Sequence, residues 1–205
     1  DVETDRNRLR NKVDGFMDGV HRIRNRVYAD LVNLWVASGG CGIAFIQTSV
    51  STSFESSGFS VASRGCATTN LTFAHELGHN MGARHDRYVD NTNNSPYKYN
   101  HGHVNVTDGW RTVMAYNNRC SDSGTSCSRL QFWSNPNKSR NGDPMGISTP
   151  SAKAADNYRT LKNTAETVAR FRTLGKNEKG DLFGRVVASG DFNGDGLTDL
   201  AVGAP

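Results

Sequence analysis

The stretch His75-Glu76-Leu77-Gly78-His79-Asn80-Met81-Gly82-Ala83-Arg84-His85-Asp86 decides how this chain is read. Successive residues of a helix turn by about 100°, so His75 and His79 project from one face, one turn apart. Two imidazoles so placed can take adjacent corners of a zinc tetrahedron. Glu76 neighbours the first of them, where it reaches a water on the metal and not the metal itself. Gly82 permits a positive φ and ends the helix, and the chain can then double back to bring in His85 as a third ligand. Three protein ligands leave a fourth position open, which marks a catalytic zinc site and not a structural one.

At these residues, and at Val113-Met114-Ala115-Tyr116 downstream, the chain resembles the metzincin clan of zinc endopeptidases. Asp86, directly after the third histidine, points to the adamalysin/reprolysin branch. The resemblance covers about residues 10–174. The wording at Asp14-Gly15-Phe16-Met17-Asp18 and Ala29-Asp30-Leu31-Val32 is similar to that of the bacterial secreted members, some of which are described as peptidyl-Asp metalloendopeptidases. The resemblance implies an α+β catalytic domain over residues 1–174, with a partial twisted mixed sheet, a zinc helix, a Met turn and a C-terminal helix. It implies hydrolysis of internal peptide bonds of a protein or peptide substrate by a zinc-activated water. Glu76 would take the proton as general base and hand it to the leaving amine.

The same resemblance assigns supporting roles. Met114 is expected as an apolar floor beneath the histidines, with Gly82 shaping the turn and Asp86 anchoring it by hydrogen bonds. Tyr116 departs from the adamalysin pattern and sits where astacins and serralysins carry a tyrosine that approaches the metal. Either it stabilises the oxyanion or it is a packed side chain. Residues 129–137 and 144–147 lie where the family builds the S1′ wall; Phe132 and Trp133 would line it or belong to the core. The strand over 42–47 would pair with an extended substrate backbone. His101 and His103 read as surface histidines, since no carboxylate is placed beside them for a second metal.

The bulk numbers agree with a medium catalytic domain plus a stub. Among 205 residues there are 24 basic and 20 acidic side chains, a net charge of +4 that leans on arginines near the N-terminus. Acidic residues are interspersed and no nucleic-acid motif accompanies them, so the expectation is a solvated helix face and no nucleic-acid partner. No apolar run is long enough to span a membrane. Four cysteines suit an oxidising, extracellular compartment and allow three pairings. The favoured set is Cys41–Cys66 and Cys120–Cys127, against four reduced thiols.

Apolar spacing predicts a helix over 5–28, strands over 30–36, 42–47 and 59–63, and the zinc helix over 68–81 with Thr69 or Asn70 as N-cap. Residues 87–112 read as irregular. Thr149-Pro150-Ser151 reads as the start of a last helix with Ala152, Ala155, Tyr158, Leu161, Ala165, Val168 and Phe171 on its apolar face, ending at Gly175. The family places a strand, a long helix and another strand before the helix that opens this chain, so the sheet is expected to be incomplete and the chain cut at both ends.

Residues 175–180 read as a linker, and 181–205 resemble an FG-GAP repeat, the blade unit of integrin-type β-propellers. Its Asp191, Asn193, Asp195 and Asp199 would offer side-chain oxygens, and Leu197 its carbonyl, to Ca²⁺ in a tight loop. The other reading is an Asp/Gly turn without metal. About 25 residues make an incomplete propeller repeat, which could meet a surface or a protein partner. Two functions remain in view. One is a secreted zinc endopeptidase. The other is an adhesion or surface-binding FG-GAP protein with an inactive peptidase-like domain, which the intact Glu76 and three histidines argue against.

Overall fold

The computed structural model describes residues 1–172 and the backbone of residues 186–190 and 199–203. The chain forms two units. One is built from residues 1–45, 51–80 and the described residues beyond 165; the other from 46–50 and 81–165.

The first unit opens with α1 (Val2–Arg10), whose N-cap Asp1 accepts the Thr4 N–H at 2.9 Å, and continues with α2 (Gly19–Val27). The single helix expected over 5–28 is therefore broken. Between the two helices Asn11, Asp14 and Asp18 accept the N–H groups of Val13, Phe16 and Gly15. Gly15 and Met17 take φ of 84° and 55°. Short polar side chains here offer the backbone a local alternative to the helix ladder, and it wins. The apolar rhythm survives the break: Leu9 and Val20 are both buried.

The sheet of this unit is mixed, in the order β1 (Val32–Val36), β3 (Phe59–Ser63), β2 (Gly42–Ala44). β1 runs parallel to β3 with Val32 opposite Phe59, and β2 runs antiparallel to it with Ile43 opposite Val61. β1 and β3 are nearly continuous buried runs, as expected of strands covered on both faces. Leu9, Val20, Val32, Leu34, Val36, Phe59 and Val61 make the core. The strand expected over 42–47 stops at Ala44.

The zinc helix is shorter than its pattern. A one-turn helix α3 (Arg64–Ala67) comes first, Leu71 takes φ 55°, and α4 then runs over Thr72–Asn80. Thr69 Oγ1 donates back to the Gly65 carbonyl and belongs to the preceding turn. Cys41–Cys66 is bonded and ties the residue before β2 to α3.

The second unit holds β4 (Val104–Asn105), β5 (Trp110–Arg111), α5 (Asn118–Asp122), β6 (Ser128–Arg129), the hairpin of β7 (Asn135–Arg140) and β8 (Asp143–Met145), and most of α6 (Asn157–Val168). β5 is antiparallel to β4 and parallel to β6, so 87–112 is not wholly irregular. Cys120–Cys127 closes the loop from α5 to β6. Thr149-Pro150-Ser151 does not open α6. The helix starts later, at Asp156, whose Oδ1 accepts the Arg159 N–H at 3.0 Å. Its buried face is also rotated: Asn157, Thr160, Thr164 and Val168 point inward, whereas Tyr158 is 49% exposed and Ala165 is exposed. The threonine hydroxyls disappear into the core by donating to backbone carbonyls, Thr160 to Asp156 at 3.2 Å and Thr164 to Met81 at 2.9 Å. Polar residues that bond back to the backbone hide a buried face from an apolar count.

β9 (Val186–Gly190) and β10 (Asp199–Gly203) form an antiparallel pair. The expected calcium residues Asp191, Asn193, Asp195 and Leu197, and the Asp199 side chain, lie outside the described residues, as do the linker and Gly175.

Candidate metal centre

The site is assembled from α4 outward. Leu71 lends its carbonyl to the His75 N–H at 3.0 Å, and His75, Glu76 and His79 then follow on the buried side of the helix. The two imidazole centroids lie 4.8 Å apart with planes at 88°. Asn80, wholly buried, ends α4 by donating its amide to the carbonyls of Phe45 and Phe59 at 2.9 and 3.2 Å. β2 meets the helix through a bare Cα. A Cβ on Gly42 would come 2.5 Å from Thr72 Cγ2 and 2.8 Å from Glu76 Oε1, so only glycine lets the Glu76 carboxylate lie along that strand.

Past α4, Gly82 takes φ 88°, and a Cβ there would lie 3.0 Å from Pro96 Cγ. Both the conformation and the space demand glycine. The reversed chain is then held by a short β-type bridge: the Arg84 N–H donates to the Asn100 carbonyl at 2.7 Å, and the Gly102 N–H to the Arg84 carbonyl at 3.1 Å. The Arg84 guanidinium pairs with Asp90 at 2.8 Å and donates to the Ser95 carbonyl at 2.8 Å.

This brings in the third histidine. One ring nitrogen from each of His75, His79 and His85 lies within 4.8 Å of the other two, a set that could hold a metal ion. Three atoms no more than 4.8 Å apart all lie within about 2.8 Å of some common point, under an ångström beyond the ~2.1 Å of a zinc–nitrogen bond. The donor set therefore fits zinc. Burial pushes the His85 imidazole down to about 4, with Asp90 and Asp86 pulling it up and Arg129 and Arg84 pushing it further down. At neutral pH it is in the uncharged form that binds metal.

Asp86 is buried, and its two oxygens have separate tasks. Oδ1 accepts the Tyr88 N–H at 3.0 Å, and Oδ2 accepts the Tyr116 N–H at 2.8 Å. It thus joins the turn after the third histidine to residues 113–116. There the Ala115 N–H donates to the Thr112 carbonyl at 2.9 Å, and Met114 is fully buried. The Tyr116 ring packs 4.2 Å from the His85 ring, at 34°, and is 37% exposed. Phe132 is 54% exposed, so it is not plain core; Trp133 is half-buried.

The residue that spacing missed is His101. Expected at the surface, it is wholly buried. Its Nδ1 meets the His85 carbonyl at 2.8 Å and its Nε2 the Thr92 carbonyl at 2.9 Å, so it braces the backbone of His85. Ser134 donates to the His101 carbonyl at 2.6 Å, and Asn157 donates its amide to the Asn100 carbonyl at 2.8 Å. These partners are tens of residues apart, and no local pattern announces them. His103 is half-buried and lines a cavity of about 550 Å³ with Asp86, Arg87 and Arg119.

Comparison with known proteins agrees with this geometry. Residues 1–86 match the family described as metallo-peptidase family M12B Reprolysin-like, residues 46–129 match Peptidase M66, and residues 183–205 match the FG-GAP repeat. A peptidyl-Asp metalloendopeptidase of Stenotrophomonas maltophilia is 44% identical over 173 residues, 82% of this chain and 38% of that protein. One of Xanthomonas campestris pv. campestris is 43% identical over 171 residues, 82% of this chain and 37% of that one. A third, of Pseudomonas fragi, is 45% identical over 108 residues, 52% of this chain and 62% of its own length. The chain thus spans less than two thirds of these relatives. A solved structure described as a chaperone-substrate complex shares the fold over 77% of this chain and 23% of its own, with a TM-score of 0.52 at 22% identity. Its three histidines thus meet in a chain that is similar to reprolysin-like metallopeptidases over residues 1–86 and to the FG-GAP repeat over residues 183–205.

Proposed function

We propose that this chain is the catalytic region of a secreted zinc endopeptidase that hydrolyses internal peptide bonds of proteins. The observation that carries the reading is the meeting of His75, His79 and His85, with Glu76 next to the first of them. Zinc, when bound there, acts as a Lewis acid on the peptide carbonyl and brings the pKa of a coordinated water to about 7. The Glu76 carboxylate takes a proton as the water oxygen bonds to the carbonyl carbon. It returns that proton to the amide nitrogen as the C–N bond breaks, so the amine leaves neutral. At 5% exposure Glu76 is shielded from bulk water, which supports a proton carried within the site. Tyr116 donates its hydroxyl to the carbonyl oxygen as charge builds there, while its ring steadies His85.

The relatives' printed name, peptidyl-Asp metalloendopeptidase, extends the reading to bonds flanked by aspartate. Residues 1–174 form the catalytic domain, 175–180 the linker and 181–205 the beginning of an FG-GAP repeat that binds Ca²⁺ through Asp191, Asn193, Asp195, Leu197 and Asp199 and meets a surface or protein partner. Two disulfides support an extracellular setting. No helix among the described residues is long and apolar enough to cross a membrane.

The test is casein hydrolysis by the zinc-loaded chain, abolished by a chelator and restored by zinc. A folded chain that binds zinc and leaves casein intact favours the adhesion reading.

A further inference from the structure

Among the described residues β2 pairs only with β3, so its other side is an open edge. The Ser63 N–H donates to the Cys41 carbonyl at 2.8 Å. In an antiparallel pair the backbone groups of successive residues face alternate sides. Cys41 and Ile43 therefore turn their polar groups toward β3, and Gly42 and Ala44 turn theirs to the open edge.

The outward carbonyl of Ala44 already has a partner. Arg6, on α1, reaches it from 38 residues away in sequence and donates Nη1 to it at 3.3 Å. The same guanidinium lies 4.1 Å over the Phe45 ring, and that of Arg10 lies 4.8 Å over the same ring. Only 14% of the Arg6 side chain is exposed, and its Nε is buried without a hydrogen-bond partner. The remaining acceptors belong to its own helix: Nη2 meets Asn7 Oδ1 at 3.3 Å and the largely exposed Glu3 carboxylate at 3.6 Å. Burial works against the Arg6 charge, Glu3 supports it, Arg10 opposes it and Glu76 supports it. A mostly buried cation thus stands at the edge of β2, within electrostatic reach of the carboxylate beside His75.

We propose that Arg6 determines specificity: an extended substrate that pairs with the edge of β2 displaces its guanidinium from the Ala44 carbonyl, and an aspartate side chain of that substrate receives it. The substrate's own N–H takes the Ala44 carbonyl whatever its side chains are. A neutral substrate then leaves the buried guanidinium short of an acceptor and beside a second cation, Arg10, which costs binding. A carboxylate offers the planar, two-oxygen partner that the guanidinium fits. Selectivity here comes from the penalty on the wrong substrate as well as from attraction to the right one. The proposal rests on the endopeptidase reading and deepens it from a substrate class to a named residue.

The experiment uses the zinc-loaded full chain and two peptides that differ only in an aspartate or asparagine beside the scissile bond. The wild-type chain is expected to prefer the aspartyl peptide in kcat/KM, and Arg6→Gln to shrink that preference at least about tenfold with zinc content kept. Arg6→Lys, which keeps the charge and loses the planar fork, should fall between. An equal loss on both peptides would make Arg6 a strut for β2 and overturn the proposal. Should Arg6→Gln not fold, Glu3→Gln decides. It removes an exposed carboxylate that competes for the guanidinium, so it should widen the preference; an unchanged preference overturns the proposal. Calorimetry of both peptides on Glu76→Gln, with and without Arg6→Gln, separates the two readings. If the chain cleaves nothing, the endopeptidase reading falls, while tighter binding of the aspartyl peptide that is lost with Arg6 upholds the subsite. Equal binding of the two peptides to Glu76→Gln, or binding of neither, overturns it.

Discussion

The two halves of the histidine set are built by different physics. His75 and His79 owe their alignment to the period of one nine-residue helix, α4. His85 owes its place to the reversal at Gly82, at positive φ, and to contacts from farther along the chain: the bridge to Asn100 and Gly102, the His101 brace, and Asp86 holding Tyr116. A helical pair tolerates disturbance elsewhere because its geometry is local. A ligand placed by a long-range network is lost when any strut goes. The difference predicts where substitutions act on chemistry and where they act on assembly.

Glu76→Gln should have the largest effect and should spare both halves. Loss of the general base is expected to cut kcat by about 10³-fold or more, with zinc content and melting temperature unchanged. A variant that lost zinc instead would show that Glu76 belongs to the ligand scaffold.

Asp86→Ala attacks the long-range half alone. It strands two N–H groups in a buried place and should cost about 3 kcal/mol in denaturant unfolding. Zinc affinity, followed by competition with a chelating dye, should weaken about 10- to 100-fold, as for other residues that orient ligands. An unchanged affinity would mean that His85 is placed by its own turn.

Tyr116→Phe asks whether the residue stacked on His85 acts in chemistry. Loss of an oxyanion donor lowers kcat by about 10²-fold at constant zinc affinity. An unchanged rate with a lower melting temperature would assign the tyrosine to packing.

Gly82→Ala tests the turn that joins the halves. With φ at 88° and Pro96 Cγ 3.0 Å from the added methyl, the cost should be about 2 kcal/mol. Zinc binding should weaken with it, while the His75–His79 pair, read by NMR of the ring protons, stays aligned.

The smallest effect is expected from Asp90. Burial works to raise its pKa, but hydrogen bonds from Thr92 and Arg84 prevail and hold it at about 2. A carboxylate depressed below its unfolded value of about 3.9 stabilises the fold above that pH and ceases to do so as pH falls through about 2. Asp90→Asn should therefore cost about 1 kcal/mol at pH 7, after allowance for solvent screening, and the difference should shrink as pH falls through about 2. A pH-independent difference would point to lost packing and not to the ion pair with Arg84.

Much of this was legible in the sequence because the signals were periodic or conformational. Four-residue spacing on a helix was enough to align His75 and His79 and to put Glu76 beside the first. The demand for positive φ singled out Gly82. Continuous apolar runs marked β1 and β3. Cysteine positions indicated both disulfides, though spacing alone allowed three pairings. What tertiary structure decided was everything carried by side-chain-to-backbone hydrogen bonds. Those bonds divide the first helix at Asn11, Asp14 and Asp18, turn α6 so that Thr160 and Thr164 face inward, and bury His101 behind His85. The reason is common to all three. A polar side chain reads as surface until a carbonyl or N–H is brought to it, and that partner arrives only when segments remote in sequence pack together.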